Sequence, residues 1–347
     1  MSRMSKTDQS IKVMIAGIGG ASLGTEIFKS LRLAGGYEVY GCDVSSTAYG
    51  LYQEGFAKTY LIDRSDYISG VIKACEDAGA SFLIPGGEQP MTLLGAASTE
   101  LALKGIKLLA NSPEVIETFS DKEATFECLK GCGVNIPKTI ALNDKEDLDH
   151  VGLPCIVKPA TGSGGSVAVF FALTSEEAMT YAEFIKRGAS TPIAQEYVDD
   201  SEGEFTIGVL SLPDKHIVGS IALRRVLDAK LSVAYRGRGG VISSGYSQGY
   251  IDRYPDLCAQ AEKIAEAAGS QGPINIQARV RDGVLLPFEI NPRFSASTYL
   301  RAMAGFNEID MLIKHRISGI KPDRPAIKSG WYLRSLTECF VPDEQVK

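Results

Sequence analysis

Histidine is scarce in this chain. Its three histidines, His150, His216 and His315, lie far apart and form no ligand cluster, which argues against a zinc site or a Ser-His-Asp triad. A basic excess is also missing. The formal net charge is -6, so nucleic acid is not an expected partner. No apolar run approaches the ~20 residues that span a bilayer, and the polar start from Met1 to Ser10 lacks the apolar core of a secretory leader. These absences predict a cytoplasmic protein with a disordered tail over residues 1–10 and no membrane partner. The 7 cysteines are scattered and odd in number, as free buried thiols are. Cys128 and Cys132 stand one helical turn apart, but no second Cys or His pair accompanies them to complete a metal site.

What is present reads as an ordinary globular protein, 44% hydrophobic and 22% charged. Its length predicts more than one domain. Short apolar strands are expected at 12–16, 37–42, 82–84 and 107–110. A helix carrying Leu23, Ile27 and Leu31 on one face follows the first of them. This alternation predicts a parallel sheet with helices on both faces, over residues 11–112. Ser112-Pro113-Glu114 then has the cap, first-turn proline and early acid of a helix start. Another helix is expected from Ser120-Asp121-Lys122-Glu123 to the glycines at 131 and 133. From there the pattern turns to hairpins. Strands at 154–159 and 167–171 flank a glycine-rich loop, a helix is expected near 175–187, and strands at 192–198, 204–212 and 217–224 form a meander. A basic, glycine-rich loop lies at 235–240. After a helix at 254–268, strands at 274–280 and 284–290 are joined by Asp282-Gly283, a strong hairpin signal. The fold class is α/β, with a parallel-sheet domain at 11–112, a small α+β lobe at 113–190 and a large lobe with a C-terminal extension at 191–347.

Four stretches carry chemistry. In the strand Leu286 to Asn291, alternation places Glu289 and Asn291 on one face, and Phe288 and Ile290 on the other. Two oxygen donors followed by Arg293 suit Mg²⁺ held against phosphates. Read alone, the stretch is alternatively an edge strand with a solvated glutamate. Gln277, opposite Glu289 across the hairpin, adds a third oxygen, and three polar side chains on a buried strand pair are costly unless something satisfies them. Lys158, between an apolar strand and Pro159, precedes Thr161 to Ser166. There Ser163, Gly164, Gly165 and Ser166 leave backbone N–H groups to wrap a polyphosphate. Gln195-Glu196-Tyr197-Val198 offers a strand end that can read an adenine edge, with Glu204 in reach of ribose hydroxyls. Finally, Gly17-Ile18-Gly19-Gly20 is a strand-to-helix turn of the dinucleotide kind, with Asp43 as the ribose acid. Its third glycine position holds Ser22. An NAD(P)-dependent oxidoreductase is therefore one reading, and close packing of a helix on a sheet is another.

Taken in order, these motifs resemble the ATP-grasp superfamily, and within it the carbamoyl-phosphate-synthetase-like branch. The carrying residues are Asp121-Lys122, Gly133 to Lys138, Val157-Lys158-Pro159 with the glycine loop, Gln195 to Val198 with Glu204, Asn275-Ile276-Gln277, and Glu289 to Arg293. They cover residues 112–325, and the first 110 residues look like the preATP-grasp domain. The resemblance implies ATP with Mg²⁺, Mn²⁺ being an alternative ion. Lys122 and Lys158 would contact phosphates, and the loop would cover them. Glu196, Tyr197 and Val198 would read adenine, and Glu204 would hold ribose. Gln277, Glu289 and Asn291 would bind metal, and Arg293 would stabilise the moving phosphoryl group. Gln277 stands where many ATP-grasp enzymes carry an acid, which lowers the charge of the metal site.

The implied reaction is amide or peptide-like bond formation through an acyl phosphate, releasing ADP and phosphate. The expected partners are a small amino-acid-like carboxylate and an amine, and a homodimer is allowed. Arg236 and Arg238 are candidates for a lid on the substrate carboxylate. Glu88, Ser295, Ser297 and Arg301 are candidates for the substrate side. The length admits one ATP-grasp unit, and a nucleotide-binding regulatory protein without turnover is the alternative of another class.

Overall fold

The computed structural model describes residues 10–160, 168–237 and 239–347. The first hundred residues build a parallel sheet from β1 (Ile11–Ala16), β2 (Tyr37–Asp43), β3 (Lys58–Leu61), β4 (Phe82–Pro85) and β5 (Lys107–Leu108), in the order β3-β2-β1-β4-β5. The expected strands appear, with the last shorter than its apolar run. β3 was not anticipated, because an exposed four-residue edge strand has too little apolar pattern to announce itself. The helix Leu23–Ala34 buries Ile27, Phe28 and Leu31, each worth about 2 kcal/mol of apolar transfer. The core they join also takes in the helices Thr298–Met303 and Glu308–Ser318. The helix Tyr67–Ala78, also not anticipated, covers the opposite face of the sheet.

The glycine turn after β1 is a packing device. A Cβ on Gly24 would lie 1.9 Å from the carbonyl oxygen of Gly17. The close approach of helix to strand thus occurs two residues beyond Ser22, where the dinucleotide pattern would want its last glycine. G24A should cost about 3 kcal/mol through overpacking, read as a lower denaturation midpoint. A neutral G24A would mean that the turn relaxes without strain.

A second, antiparallel sheet follows, from β6 (Thr139–Ala141), β7 (Cys155–Pro159), β8 (Phe170–Ala172) and β9 (Pro192–Glu196), in the order β6-β9-β7-β8. The helix Ser175–Arg187 packs Ala178, Ala182 and Ile185 against it. The loop residues Ser163, Gly164, Gly165 and Ser166 lie outside the described residues.

The third sheet is built on β10 (Glu204–Ser211) and β11 (Ile217–Arg225). β12 (Val233–Gly237) and β13 (Gly240–Ser243) form a separate hairpin, where the sequence suggested an irregular loop. β14 (Gly249–Asp252), β15 (Pro273–Arg281), β16 (Val284–Asn291) and β17 (Gly330–Tyr332) complete the large sheet, ordered β16-β15-β10-β11-β14-β17. The helix Pro255–Ala267 covers one of its faces with Ala261, Ile264 and Ala265. Asp282 and Gly283 both have positive φ, 54° and 72°, the two-residue hairpin turn their identities predict. Ser112 caps the helix Pro113–Ser120 as expected. Just before it, Asn111 is a joint. Its Nδ2 donates to the carbonyls of Pro273 and Pro292, and its Oδ1 accepts from Ser270 and the backbone N–H of Gln271. Among the described residues no helix is long and apolar enough to cross a membrane.

Candidate functional site

A cleft of about 770 Å³, open to solvent on one side, lies between the second and third sheets. Its floor starts with an irregularity in a strand. β15 and β16 pair Gln277 with Glu289, and the next pair is Ala278 with Pro287, so Phe288 is an extra residue. Such a bulge breaks alternation locally. Phe288 and Glu289 therefore both line the cleft, a correction to the expectation that they face opposite ways. Ile290, beyond the bulge, is in the core as expected.

The bulge also releases a carbonyl. Lys158 of β7 donates Nζ to the oxygen of Phe288 at 3.1 Å and to Gln195 Oε1 at 2.8 Å. Its ammonium sits 5.4 Å from the Phe126 ring centre. Burial, with the Lys122 charge nearby, brings the Lys158 pKa down to about 7, against the pull of Glu289. This has a sign that can be checked. An unfolded lysine titrates near 10.5, so between about pH 7 and that value the unfolded chain holds more protons. Stability should therefore rise with pH across this window, and K158M should remove that slope in denaturation midpoints measured from pH 6.5 to 9.5. A charged ligand that needs the ammonium form should bind with proton uptake above pH ~7, losing roughly tenfold in affinity per pH unit.

Lys122 opens the helix Lys122–Gly131, whose cap Asp121 accepts from the backbone N–H of Ala124. The Lys122 N–H donates to Ala160 O at 3.1 Å, which fixes the helix start beside the end of β7. Lys122 and Lys158 both line the cleft. Opposite them, Glu289 Oε2 accepts from Gln277 Nε2. Asn291 Oδ1 accepts from Arg293 Nη2 at 3.2 Å.

The other end of the cleft is apolar, walled by Ile156, Val169, Val198, Val241 and Ile242. The Glu196 carboxylate turns away from the cleft to Arg281 and to the Lys138 N–H, the Glu196 N–H donates to the Lys138 carbonyl, and the Val198 carbonyl accepts from Arg279. Tyr197 Oη accepts from the Val241 N–H at 3.0 Å, and Arg279 lies over the Tyr197 ring. Glu204 is 1% exposed, between Arg225 Nη1 at 3.0 Å and Arg279 Nη2 at 3.0 Å. Sequence reasoning did not single out either arginine. One signal was available: Arg279 stands two residues after Gln277 and so shares its strand face.

Glu204 Oε1 accepts no hydrogen bond but is ion-paired with Arg225 Nη1 at 3.0 Å, whereas Asn291 Nδ2 and Arg293 Nε are buried without a hydrogen-bond partner. Such atoms are costly unless something satisfies them. An acceptor at the Glu204 end, and a carboxylate with an amide oxygen at the other, fit a ribose hydroxyl and an Mg²⁺-bound phosphate. Among the described residues no cluster of three His, Cys, Asp or Glu side chains could hold a metal without such a ligand.

The remaining candidates lie elsewhere. Arg236 is exposed on β12 and donates to Leu227 O at 2.6 Å, and Arg238 is outside the described residues. Ser295 and Ser297 are buried in the turn after β16, where Ser295 Oγ accepts the Ser297 N–H. Arg301 is 0% exposed and bonded to Asn275, Thr206 and Glu308. Glu88 starts the helix Glu88–Ala96, near enough for its charge to act on Arg293. A second cleft, of about 720 Å³, lies at the ends of β1 and β4 and includes Gly17, Asp43, Arg64, Tyr67 and Gly86. Asp43, the acid a dinucleotide ribose would need, is occupied by the N–H groups of Ile18 and Ser45.

Comparison with known proteins gives a consistent family pattern. The family model described as ATP-grasp in the biosynthetic pathway with Ter operon matches residues 224–339. The carbamoyl phosphate synthase large chain of Neisseria meningitidis serogroup B is 26% identical over 215 residues, 60% of this chain and 19% of that one. The chain thus spans about a fifth of the length of that curated relative. Biotin carboxylase from Campylobacter jejuni, solved as a β,γ-ATP complex, superposes with a TM-score of 0.68 at 17% identity, covering 93% of this chain and 75% of that one. An L-amino acid ligase from Bacillus licheniformis superposes with a TM-score of 0.64 at 14% identity, covering 90% and 75%.

Proposed function

We propose that this chain, a member of the ATP-grasp superfamily, is an ATP-dependent carboxylate–amine ligase that works through an acyl phosphate. The observation that carries this reading is convergence. Lys158, from one sheet, is bonded to the carbonyl beside Glu289, from the other, in a cleft whose far end is apolar and holds the buried Glu204 carboxylate. Adenine would lie against Val198 and Ile242, with ribose at Glu204 and the triphosphate running toward Lys122, Lys158 and Glu289.

A carboxylate oxygen of the substrate attacks the γ-phosphorus. The bond from that phosphorus to the β,γ-bridging oxygen breaks, and ADP leaves. The amine then attacks the acyl carbon, the bond to the phosphate oxygen breaks, and the amine proton leaves with phosphate or water. Phosphoryl transfer depends on position and charge more than on a general base. Lys158 orients the phosphates, and Arg293, held by Asn291 and the Phe294 carbonyl, faces charge that builds on the moving group. Glu289 and Asn291 would hold Mg²⁺, which when bound neutralises phosphate charge. Glu88, whose charge acts on Arg293, marks the substrate side.

The test is ADP release with Mg²⁺–ATP against amino acids and small carboxylates, singly and in pairs, with hydroxylamine as the trap for an acyl phosphate. Pair-dependent ADP release is expected, with hydroxamate formed from the carboxylate alone. ATP that protects against unfolding but yields no ADP with any pair would instead make the chain a nucleotide-binding regulator.

A further inference from the structure

A third cavity, of about 490 Å³, is assembled from distant parts of the chain. The helix Leu23–Ala34 gives Glu26 and Lys29, the β2–β3 connection gives Gln53, the segment after β13 gives Tyr246, and the segment after β17 gives Arg334. Two bonds join it to the nucleotide cleft. Arg225 Nη2 donates to the Tyr246 carbonyl at 3.0 Å, and Arg334 Nη2 donates to the carbonyl of Ala296, three residues past Arg293. Glu26 is 5% exposed and lies between Lys29 Nζ and Arg334 Nη2, the latter at 3.1 Å. Two cations thus face one carboxylate, and the lining carries a positive charge in excess. The Arg334 side chain is 9% exposed, and its Nε is buried without a hydrogen-bond partner. Gln53 Oε1 is buried without one too. The first atom lacks an acceptor and the second lacks a donor, and each is costly to leave so. A guanidinium pairs well with a carboxylate. An amide oxygen that shares its cavity with the Glu26 carboxylate suits an ammonium.

Resting on the ligase reading above, we propose that this cavity binds a free amino acid by its α groups, with Arg334 Nε donating to the α-carboxylate and Gln53 Oε1 and Glu26 accepting from the α-ammonium. A zwitterion of this kind supplies both missing partners at once. Lys29 keeps Glu26 charged and in place. Held by both α groups, the amino acid has its side chain left for the chemistry in the neighbouring cleft. Arg334 and Gln53 are then specificity-determining residues, which select a substrate by its α end and take no part in phosphoryl transfer.

The test is calorimetric titration of the full chain with each of the protein amino acids, with and without a saturating non-hydrolysable ATP analogue and Mg²⁺. At least one amino acid is expected to bind. Its N-acetyl form and its α-amide, which each lack one of the two charges, should bind about tenfold more weakly or worse. Q53L should weaken binding about tenfold and R334M about a hundredfold. Lys29 still pairs with Glu26 in R334M, so that variant should fold. Should it not, Q53L decides: weaker binding supports the site and unchanged binding rejects it. A chain that binds the analogue but no amino acid overturns this inference alone. So does amino-acid binding that either folded variant leaves unchanged, or that survives the loss of either charge. Failure of the analogue to bind overturns the nucleotide reading itself.

Discussion

Replacing Glu289 with alanine (E289A) is expected to lower ATP-dependent ADP release about a thousandfold, the scale of losing one preorganised charge-stabilising group. Glu289 is the one carboxylate at the phosphate end of the cleft among the described residues, and Asn291 alone is a neutral monodentate donor. The loss should appear in kcat and in Mn²⁺ affinity together. Folding should change little, because Glu289 is only half-buried and its partner Gln277 keeps Arg225. The apolar end of the cleft is untouched in this variant, so ATP should still raise the unfolding temperature. Activity within tenfold of the parent would remove Glu289 from the metal site.

The second large effect is on stability. E204A deletes a buried carboxylate that faces two buried arginines, each at 3.0 Å. Breaking such a group from one side leaves uncompensated charge inside the protein, at a cost of about 3–5 kcal/mol. Arg279 keeps the carbonyls of Val198 and Val241, and Arg225 those of Ser244 and Tyr246, so the protein should fold with a lower urea midpoint rather than collapse. E204Q, which retains one acceptor oxygen, should lose less. An E204A protein within ~1 kcal/mol of the parent would show that the cluster is not electrostatically coupled. Both variants should also bind ATP more weakly, since the Glu204 carboxylate, which lines the cleft, is the acceptor assigned to ribose.

The parts of this molecule that could be read in the sequence are those in which local chemistry dictates structure. Asp282-Gly283 had to be a two-residue turn, because both residues tolerate positive φ. Ser112-Pro113 had to start a helix. The apolar runs at 12–16 and 82–84 had to be buried parallel strands. The site was legible where a motif kept its period, as at Glu289 to Asn291. It was not legible where tertiary pairing overrides the period. Nothing in Pro287-Phe288 announces a bulge, because the extra residue is defined by what lies opposite on β15. Arg224 and Arg225 are the same residue type in adjacent positions. One is at the surface and the other is a buried partner of Glu204, and only strand phase against β10 and β14 separates them. Arg301 is the converse case. An arginine just after the Glu289 strand invites a substrate role, and the structure places it in the interior between β10, β15 and a following helix, bonded to Thr206, Asn275 and Glu308.

The bulge at Phe288 also sets a ruler. The carbonyl that holds Lys158 and the carboxylate assigned to the metal belong to consecutive residues, so one peptide unit fixes the spacing between a cation of the small sheet and an anion of the large one. The Lys158–Phe288 bond is thus a tie between the two sheets at that end of the cleft. At the other end of the cleft no such tie is needed, because the wall there is apolar, from Ile156, Val169, Val198, Val241 and Ile242.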